Sequence, residues 1–310
     1  MEIWITGASG QIGAVLTTHL RHAGHRVTAL GRTPPDQPDP PAWIPWDARS
    51  PDAVPEGFPR PGALVHLAGQ TSAYVARHNP AGDLSLNVLA PLRLMESIAT
   101  DGSRPIVLMA GAATVNDRVL EGAFTENPAT FYETGKHALE LYAAQLMREG
   151  RIRFASLRLS NVYGGRTSGQ PNRGFLNLSV AAALRGEPLR CYGPAPCRRD
   201  YLHVTDAAEA FSTALKHADA VAGRVYPLGS GEVVPIRTVM DMVAEEVESA
   251  VGTHVPVLEI APPDDLYPIE LLDRRADASE FRTRTDWAPR VPLREGIRRL
   301  IRANLSIDRG

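Results

Sequence analysis

Through the first half of the chain, short apolar runs alternate with longer segments that mix apolar and polar positions. Glu2 to Thr6 reads as a buried strand, Gln11 to His22 as a helix, and Arg26 to Leu30 as a second strand entered through a break at Gly24. Residues 33–45 hold six prolines, so this stretch is an extended crossing rather than a helix. Trp43 to Trp46 at its end reads as a short third strand, and Ala63 to Ala68 as a fourth. A helix over Leu84 to Thr100, a strand over Pro105 to Met109, a long helix over Phe131 to Arg148 and a strand over Phe154 to Leu159 complete the series. This repeated order predicts an α/β fold with a doubly wound parallel sheet of the Rossmann type.

Beyond about residue 165 the alternation loosens. Helices are expected at Phe175 to Arg185, Ile236 to Val251 and Leu293 to Asn304, with short strands at Leu189 to Tyr192 and Val255 to Ile260. The expected division is a dinucleotide-binding domain over 1–165, with returning segments near 199–230, and a smaller α/β substrate-binding lobe over 166–310.

Composition removes several classes of function. The chain has 310 residues, 44% hydrophobic and 22% charged, with a formal net charge of −2. That is ordinary globular composition, with no basic excess for a nucleic-acid or membrane surface. The two cysteines, Cys191 and Cys197, lie without a metal-ligand set nearby and read as ordinary thiols. A strand begins almost at the first Met, so no secretory signal is expected, and no apolar run is long enough to span a bilayer. The expected location is the cytoplasm.

The first strand runs into TGASGQIG, Thr6 to Gly13. Gly7 allows a tight turn, Gly10 lets backbone amides approach a pyrophosphate, and Gly13 lets the helix pack closely on the strand. The helix N-terminus then offers N–H groups to the phosphates. The spacing is G-x-x-G-x-x-G, and Ser9, Gln11 and Ile12 lie in the same cofactor-binding turn. About 20 residues on, where a ribose-reading carboxylate would stand, the sequence has Gly31 and Arg32. A guanidinium there suits a 2′-phosphate, which favours NADP(H) over NAD(H). The other reading leaves Arg32 in solvent and lets Asp36 or Asp47 meet the adenosine.

Tyr132 and Lys136 in YETGK stand four residues apart, on one face of a helix. A phenol beside a cation can take or return a proton at a substrate oxygen. Alone the motif is common by chance. Here it belongs to an ordered set: HLAG at His66 to Gly69, Asn87-Val88, FYETGK at Phe131 to Lys136, LRLSNVYG at Leu157 to Gly164, RRDYLHVTD at Arg198 to Asp206, LGSGE at Leu228 to Glu232 and ADASEFR at Ala276 to Arg282.

With these motifs the chain resembles the extended short-chain dehydrogenase/reductase family of nucleotide-sugar epimerases, dehydratases and ketoreductases. The resemblance implies that Leu67, Ala68 and Gly69 line the cofactor, that Asn87 supports the site, and that Lys136 also holds the nicotinamide ribose. It implies that Asn161 meets the substrate phosphate and that Arg199 pairs with the diphosphate. Arg199 in an ion pair with Asp200 or Asp206 is the competing reading. His66 and His203 read as packed strand residues. Family members often form homodimers, and the apolar faces of the helices over 84–100 and 131–148 suit that.

Three departures narrow the task. The family's Ser or Thr after the fifth strand falls on Ala112, which leaves Thr114 as a helper or Tyr132 working without one. The carboxylates of the dehydratases and decarboxylases fall on Ala113 and Thr114, which cannot act as carboxylate bases, and Asp117 lies beyond the strand. A second diphosphate arginine falls on Tyr267, with Arg274 or Arg275 as a substitute. The expected activity is NADPH-dependent reduction of a keto-(deoxy)sugar nucleotide. Its alternatives are a 4-epimerase with tightly bound NAD and a non-catalytic dinucleotide-binding sensor.

Overall fold

Seven strands lie side by side, each parallel to its neighbours, and their order puts the strand that leads into the glycine turn in the interior of the sheet. The computed structural model describes residues 1–36, 39–50, 57–99, 102–113, 119–120, 123–124, 128–165, 174–193 and 197–307. β1 (Glu2–Thr6) leads to α1 (Gln11–His22), β2 (Arg26–Gly31), β3 (Ala42–Pro45) and β4 (Ala63–His66). Then follow α2 (Ala73–His78), α3 (Pro80–Leu84), a π-helical turn at Ser85–Leu89, α4 (Ala90–Ile98) and β5 (Ile106–Ala112). A small hairpin of β6 (Val119–Leu120) and β7 (Ala123–Phe124) precedes α5 (Phe131–Arg148), β8 (Arg153–Leu159) and β9 (Asn161–Tyr163).

The second half runs through α6 (Phe175–Leu184), β10 (Leu189–Tyr192), β11 (Arg198–His203), α7 (Val204–Lys216), α8 (Ala218–Val221) and β12 (Arg224–Leu228). It ends with β13 (Val233–Pro235), α9 (Ile236–Val251), β14 (Val257–Ile260), a 3-10 turn at Pro268–Leu271, α10 (Ser279–Thr285) and α11 (Leu293–Ile307).

The sheet order is β3-β2-β1-β4-β5-β8-β12. The chain works outward in one direction from β1 and then returns to build the other side from β4. The β1/β4 boundary is therefore the switch point, and open α/β sheets bind ligands at the carboxyl ends of the strands at such a point. Successive side chains of a strand face opposite layers. Ile3 and Ile5 accordingly join a core with Leu16, Leu20 and Phe211, while Trp4 joins Leu94, Leu139 and Met109 on the other face. A third core holds Leu176 and Val180 of α6, Val239, Val243 and Val247 of α9, and Ile297 and Leu300 of α11. Among the described residues no helix is long and apolar enough to cross a membrane.

Two stretches differ from the sequence expectation. Residues 70–82, over which the pattern of apolar positions predicts no element, contain α2 and most of α3. Pro80 opens α3, where a missing N–H costs nothing, and the Asn79 side chain caps it by accepting from the Gly82 N–H at 2.9 Å. The helix expected to run unbroken from Leu84 to Thr100 is instead a π-turn followed by α4. In the second half, the sequence predicts no element over α7 or β12. β12 pairs with β8 and closes the edge of the main sheet.

Candidate active site

Gly7 turns the chain at the end of β1 with φ +70°. A β-carbon at Gly7 would lie 2.9 Å from the Ala68 backbone nitrogen, and one at Gly13 would lie 2.1 Å from the Gly7 carbonyl oxygen. Side chains at either position would fill the space above the strand ends, so the turn is a cradle kept open by hydrogen atoms. Gly10 is the N-cap of α1 and supplies no side-chain cap, which leaves the first-turn N–H groups pointing outward. This is the geometry that accepts a pyrophosphate, so the residues present fit a dinucleotide. Ser9 and Ile12 are half-buried along the same turn, and Gln11 fastens it by donating to the Gly164 carbonyl at 2.7 Å. Leu67, Ala68 and Gly69 leave β4 beside it: the Leu67 and Ala68 N–H groups both donate to Thr6 Oγ1 at 3.2 Å. His66 is buried, 2.8 Å from the same hydroxyl, and burial pulls its pKa down to about 3. It is a neutral packed residue.

At the end of β2 the Gly31 carbonyl accepts from Trp43 Nε1 and from the Trp46 N–H, each at 3.0 Å, which ties β2 to β3. Arg32 is exposed just beyond. Asp47 faces the same corner, but its carboxylate is engaged by Arg49 at 2.8 Å. That hydrogen bonding, with smaller help from the charge of Arg32, holds Asp47 at a pKa of about 2.

The Tyr132–Lys136 pair is positioned by the start of α5. Thr130 and Glu133 form a reciprocal capping box: Thr130 Oγ1 accepts from the Glu133 N–H at 3.2 Å, and Glu133 Oε2 accepts from the Thr130 N–H at 3.1 Å. This fixes the helix phase, with Tyr132 half-buried and Lys136 buried on the side facing β4. Lys136 Nζ lies 3.5 Å from where a β-carbon at Gly69 would be. Burial lowers the Lys136 pKa to about 8, against the opposing pull of Glu140 and Asp83. Burial, then Glu133 and Asp83, push the Tyr132 phenol above its ordinary value.

Asn87 sits under this group, 1% exposed. It accepts from the Gln70 N–H at 3.0 Å and donates to the Gln70 carbonyl at 3.0 Å and to Asp83 Oδ1 at 2.8 Å. Ala112 closes β5, so this strand end presents no side-chain hydroxyl. Thr114 and Asp117 lie outside the described residues.

Arg199 is buried on β11. It donates to the backbone carbonyls of Arg198, Glu270 and Leu272 and lies 3.8 Å from the Glu270 carboxylate. The competing pair with Asp200 or Asp206 is absent from the ion pairs of the described residues. Asp200 instead accepts from Ser230 and the Gly231 N–H, and Asp206 from the Val291 N–H. Arg274 forms a backbone bridge beside Arg199 and shares Glu270 at 3.6 Å, so of the two substitute arginines it is Arg274 that joins the group, while Arg275 is exposed. Asn161 Nδ2 donates to the Asp200 carbonyl at 2.9 Å, and Asn161 stands half-buried at the start of β9. Tyr267 packs on Tyr74, with the Arg77 guanidinium 3.6 Å above its ring.

Sequence reading missed Asp83, Gln70 and the buried Glu140–Arg158 pair. Asp83 had a signal, since it stands four residues before Asn87 on one helical face. Glu140 stands likewise four residues after Lys136.

An open glycine cradle at the switch point, with a buried Lys and a Tyr on the adjoining helix, defines a dinucleotide-dependent enzyme of the short-chain dehydrogenase/reductase class. Residues 3–229 match the NAD dependent epimerase/dehydratase family, and the chain belongs to it. It is 27% identical to a UDP-glucose 4-epimerase of Mycolicibacterium smegmatis, over 97% of both chains. It is 26% identical to a GDP-6-deoxy-D-mannose reductase of Pseudomonas aeruginosa, over 97% of this chain and 96% of that one. The crystal structure of the Thermus thermophilus UDP-glucose 4-epimerase in complex with NAD superposes with a TM-score of 0.82 at 27% identity, over 98% of each chain.

Proposed function

We propose that the protein is an NADPH-dependent ketoreductase of a nucleoside-diphosphate keto-(deoxy)sugar. The observation that carries this reading is Arg32 at the end of β2, exposed and close enough to Asp47 for its charge to be felt there, in a corner whose carboxylate is already held by Arg49. An exposed guanidinium beside an occupied carboxylate suits a 2′-phosphate better than a 2′-hydroxyl. When bound, the dinucleotide supplies the hydride. The glycine cradle and the 67–69 turn hold it, and Lys136 reaches toward its ribose. Tyr132, kept as the neutral phenol, donates its proton to the sugar oxygen. Arg199 and Arg274 hold the diphosphate, and Asn161 contributes at the same end. Arg199 donates to the Glu270 and Leu272 carbonyls, and a guanidinium makes stronger, charge-assisted bonds to phosphate oxygens than to such neutral partners. With Ala113 and Thr114 following β5, no carboxylate from these positions can abstract a proton for dehydration.

The second reading, a 4-epimerase holding NAD, is favoured by the UDP-glucose 4-epimerases among the relatives. Purified protein separates the two. The ketoreductase consumes NADPH on one of a panel of uridine, thymidine or guanosine diphosphate keto sugars; stoichiometric NAD in the purified protein with no NADPH consumption points to the epimerase. Arg32→Ala is expected to weaken NADPH binding by about 10-fold or more, the loss of a charge-assisted phosphate contact, and to leave NADH binding unchanged. Fluorescence titration of both cofactors reads this directly, and an equal effect on the two removes the argument for NADPH.

The reading includes a homodimer. Leu89, just before α4, and Leu141 and Tyr142 on α5 are exposed large apolar residues on elements that pack together. A second copy covering this face is expected to give a dimer mass by light scattering, and Leu141→Lys with Tyr142→Lys is expected to return it to the monomer mass.

A further inference from the structure

Asp83 is a carboxylate in a place that costs free energy unless it has a task. It is 3% exposed, in the first turn of α3, and burial raises its pKa. Oδ1 accepts from Asn87 Nδ2 at 2.8 Å and from Gln70 Nε2 at 3.2 Å. Oδ2 faces α5 at Gly135, where a β-carbon would lie 2.9 Å from it. The bare backbone of Gly135 thus lets a carboxylate press against the helix one residue before Lys136. Asn87 continues the connection: its Oδ1 accepts from the Gln70 N–H and lies 2.6 Å from where a β-carbon at Gly69 would be, the same point that Lys136 Nζ approaches to 3.5 Å. Asp83, Asn87 and the Gly69–Gln70 turn form one hydrogen-bonded group, and Lys136 Nζ stands beside it.

We propose that Asp83 is a positioning residue of this site: its carboxylate orients Asn87 and the Gly69–Gln70 turn beneath the Lys136 ammonium and supplies a counter-charge to it. The proposal rests on the reading of Tyr132 and Lys136 as the reacting pair, and it adds a residue that acts through them. The physical need is clear. A buried ammonium loses its proton easily, and Lys136 stands near 8 even with the charges of two carboxylates favouring its proton. One is Glu140, on its own helix and shared with Arg158 from β8. The other is Asp83 from α3. His66 from β4 is neutral and adds no charge. On the other elements against α5, Arg77 of α2 donates to the Asp265 carbonyl, and Glu96 of α4 pairs with Arg151. The Asp83 charge acts in one direction on both reacting groups. It favours the Lys136 ammonium and disfavours the Tyr132 phenolate, so both stay protonated, as reduction requires.

The chain has only two lysines, Lys136 and Lys216, which makes the test direct. Protein grown on lysine labelled at Cε and Nζ gives two side-chain signals, and Lys216→Arg assigns them. Lys136 is expected to titrate near 8 in the native protein. In Asp83→Asn it is expected to titrate about one pH unit lower, a tenfold change in its protonation ratio, while Lys216 stays in place. In turnover the alkaline limb of kcat moves down in the same variant, with KM for the sugar nucleotide unchanged. A Lys136 midpoint that does not move in Asp83→Asn overturns the proposal. Should that variant fail to fold, Gly135→Ala displaces the carboxylate without removing its charge. A smaller fall in the midpoint is then expected, and an unmoved midpoint again overturns the proposal. The titration needs no substrate, so it is independent of the reaction: Tyr132→Phe with full turnover would remove the proposed chemistry and leave this signal untouched.

Discussion

Tyr132→Phe is expected to lower kcat by about 10²–10⁴-fold, the usual worth of a positioned general acid, while cofactor affinity and thermal stability stay close to native values. The expectation separates chemistry from binding. The substitution removes one oxygen from a half-buried ring and leaves the ring itself to pack at the start of α5. Everything proposed to hold the dinucleotide remains: the Gly7 to Gly13 cradle, the 67–69 turn and Lys136. The capping box that sets the helix phase is made by Thr130 and Glu133, not by Tyr132. Loss should therefore appear in kcat and kcat/KM together, the signature of an interaction made in the transition state. Stopped-flow measurement of NADPH oxidation, or of NAD(P) reduction in the reverse direction, reads it. Turnover within tenfold of native would place the proton donor elsewhere. Thr114 would be the first residue to examine, because Ala112 offers no hydroxyl.

Much of this arrangement was legible in the sequence, for local reasons. The bounds of α1, α5 and α9 are the ones the sequence predicts, and local signals mark their ends: Gly10 and Gly24 about α1, the Thr130 capping box of α5, and the left-handed Gly252 after α9. The parallel sheet was legible because its strands are buried on both faces and read as continuous apolar runs. The stretch over 70–82 was not, because Pro80 and Gly82 punctuate a loop and a short helix alike; only the Asn79 cap distinguishes them. α7 was hidden by its familiar motif, although Val204, Ala207, Ala208, Phe211 and Leu215 follow a helical period and are all buried. In the site, the glycine cradle and the Tyr132–Lys136 spacing are local and readable. The Asp83 contact with α5, the Glu270 pairing of Arg199, and the Glu140–Arg158 pair depend on elements brought together by the fold. No spacing along the chain reveals them.

That last pair carries the largest expected effect on stability. Glu140 and Arg158 are 3% and 1% exposed. Arg158 Nε donates to Glu140 Oε1 at 3.0 Å, its Nη2 donates to Oε2, and Ser156 Oγ donates to Oε1 at 2.6 Å. His137 Nδ1 lies 3.2 Å from the same guanidinium. Removing one partner strands a buried charge, which costs about 3–5 kcal/mol, more than the net worth of forming the pair. Glu140→Ala is expected to lose that amount in urea unfolding, and Glu140→Gln, which keeps the shape and one acceptor, to lose less. Glu187→Ala is the control: it removes an exposed ion pair with Arg185, and such pairs contribute little. The damage should also reach the site. A β-carbon at Gly111 would lie 2.6 Å from Ser156 Oγ and 2.8 Å from Glu140 Oε1, so the end of β5 rests directly on this pair. Glu140 is also the larger of the two carboxylate influences that keep Lys136 charged. Glu140→Gln should therefore lower the Lys136 titration midpoint even where the fold survives. A variant that loses stability with Lys136 titrating as before would confine Glu140 to the core and leave Asp83 as the counter-charge that matters.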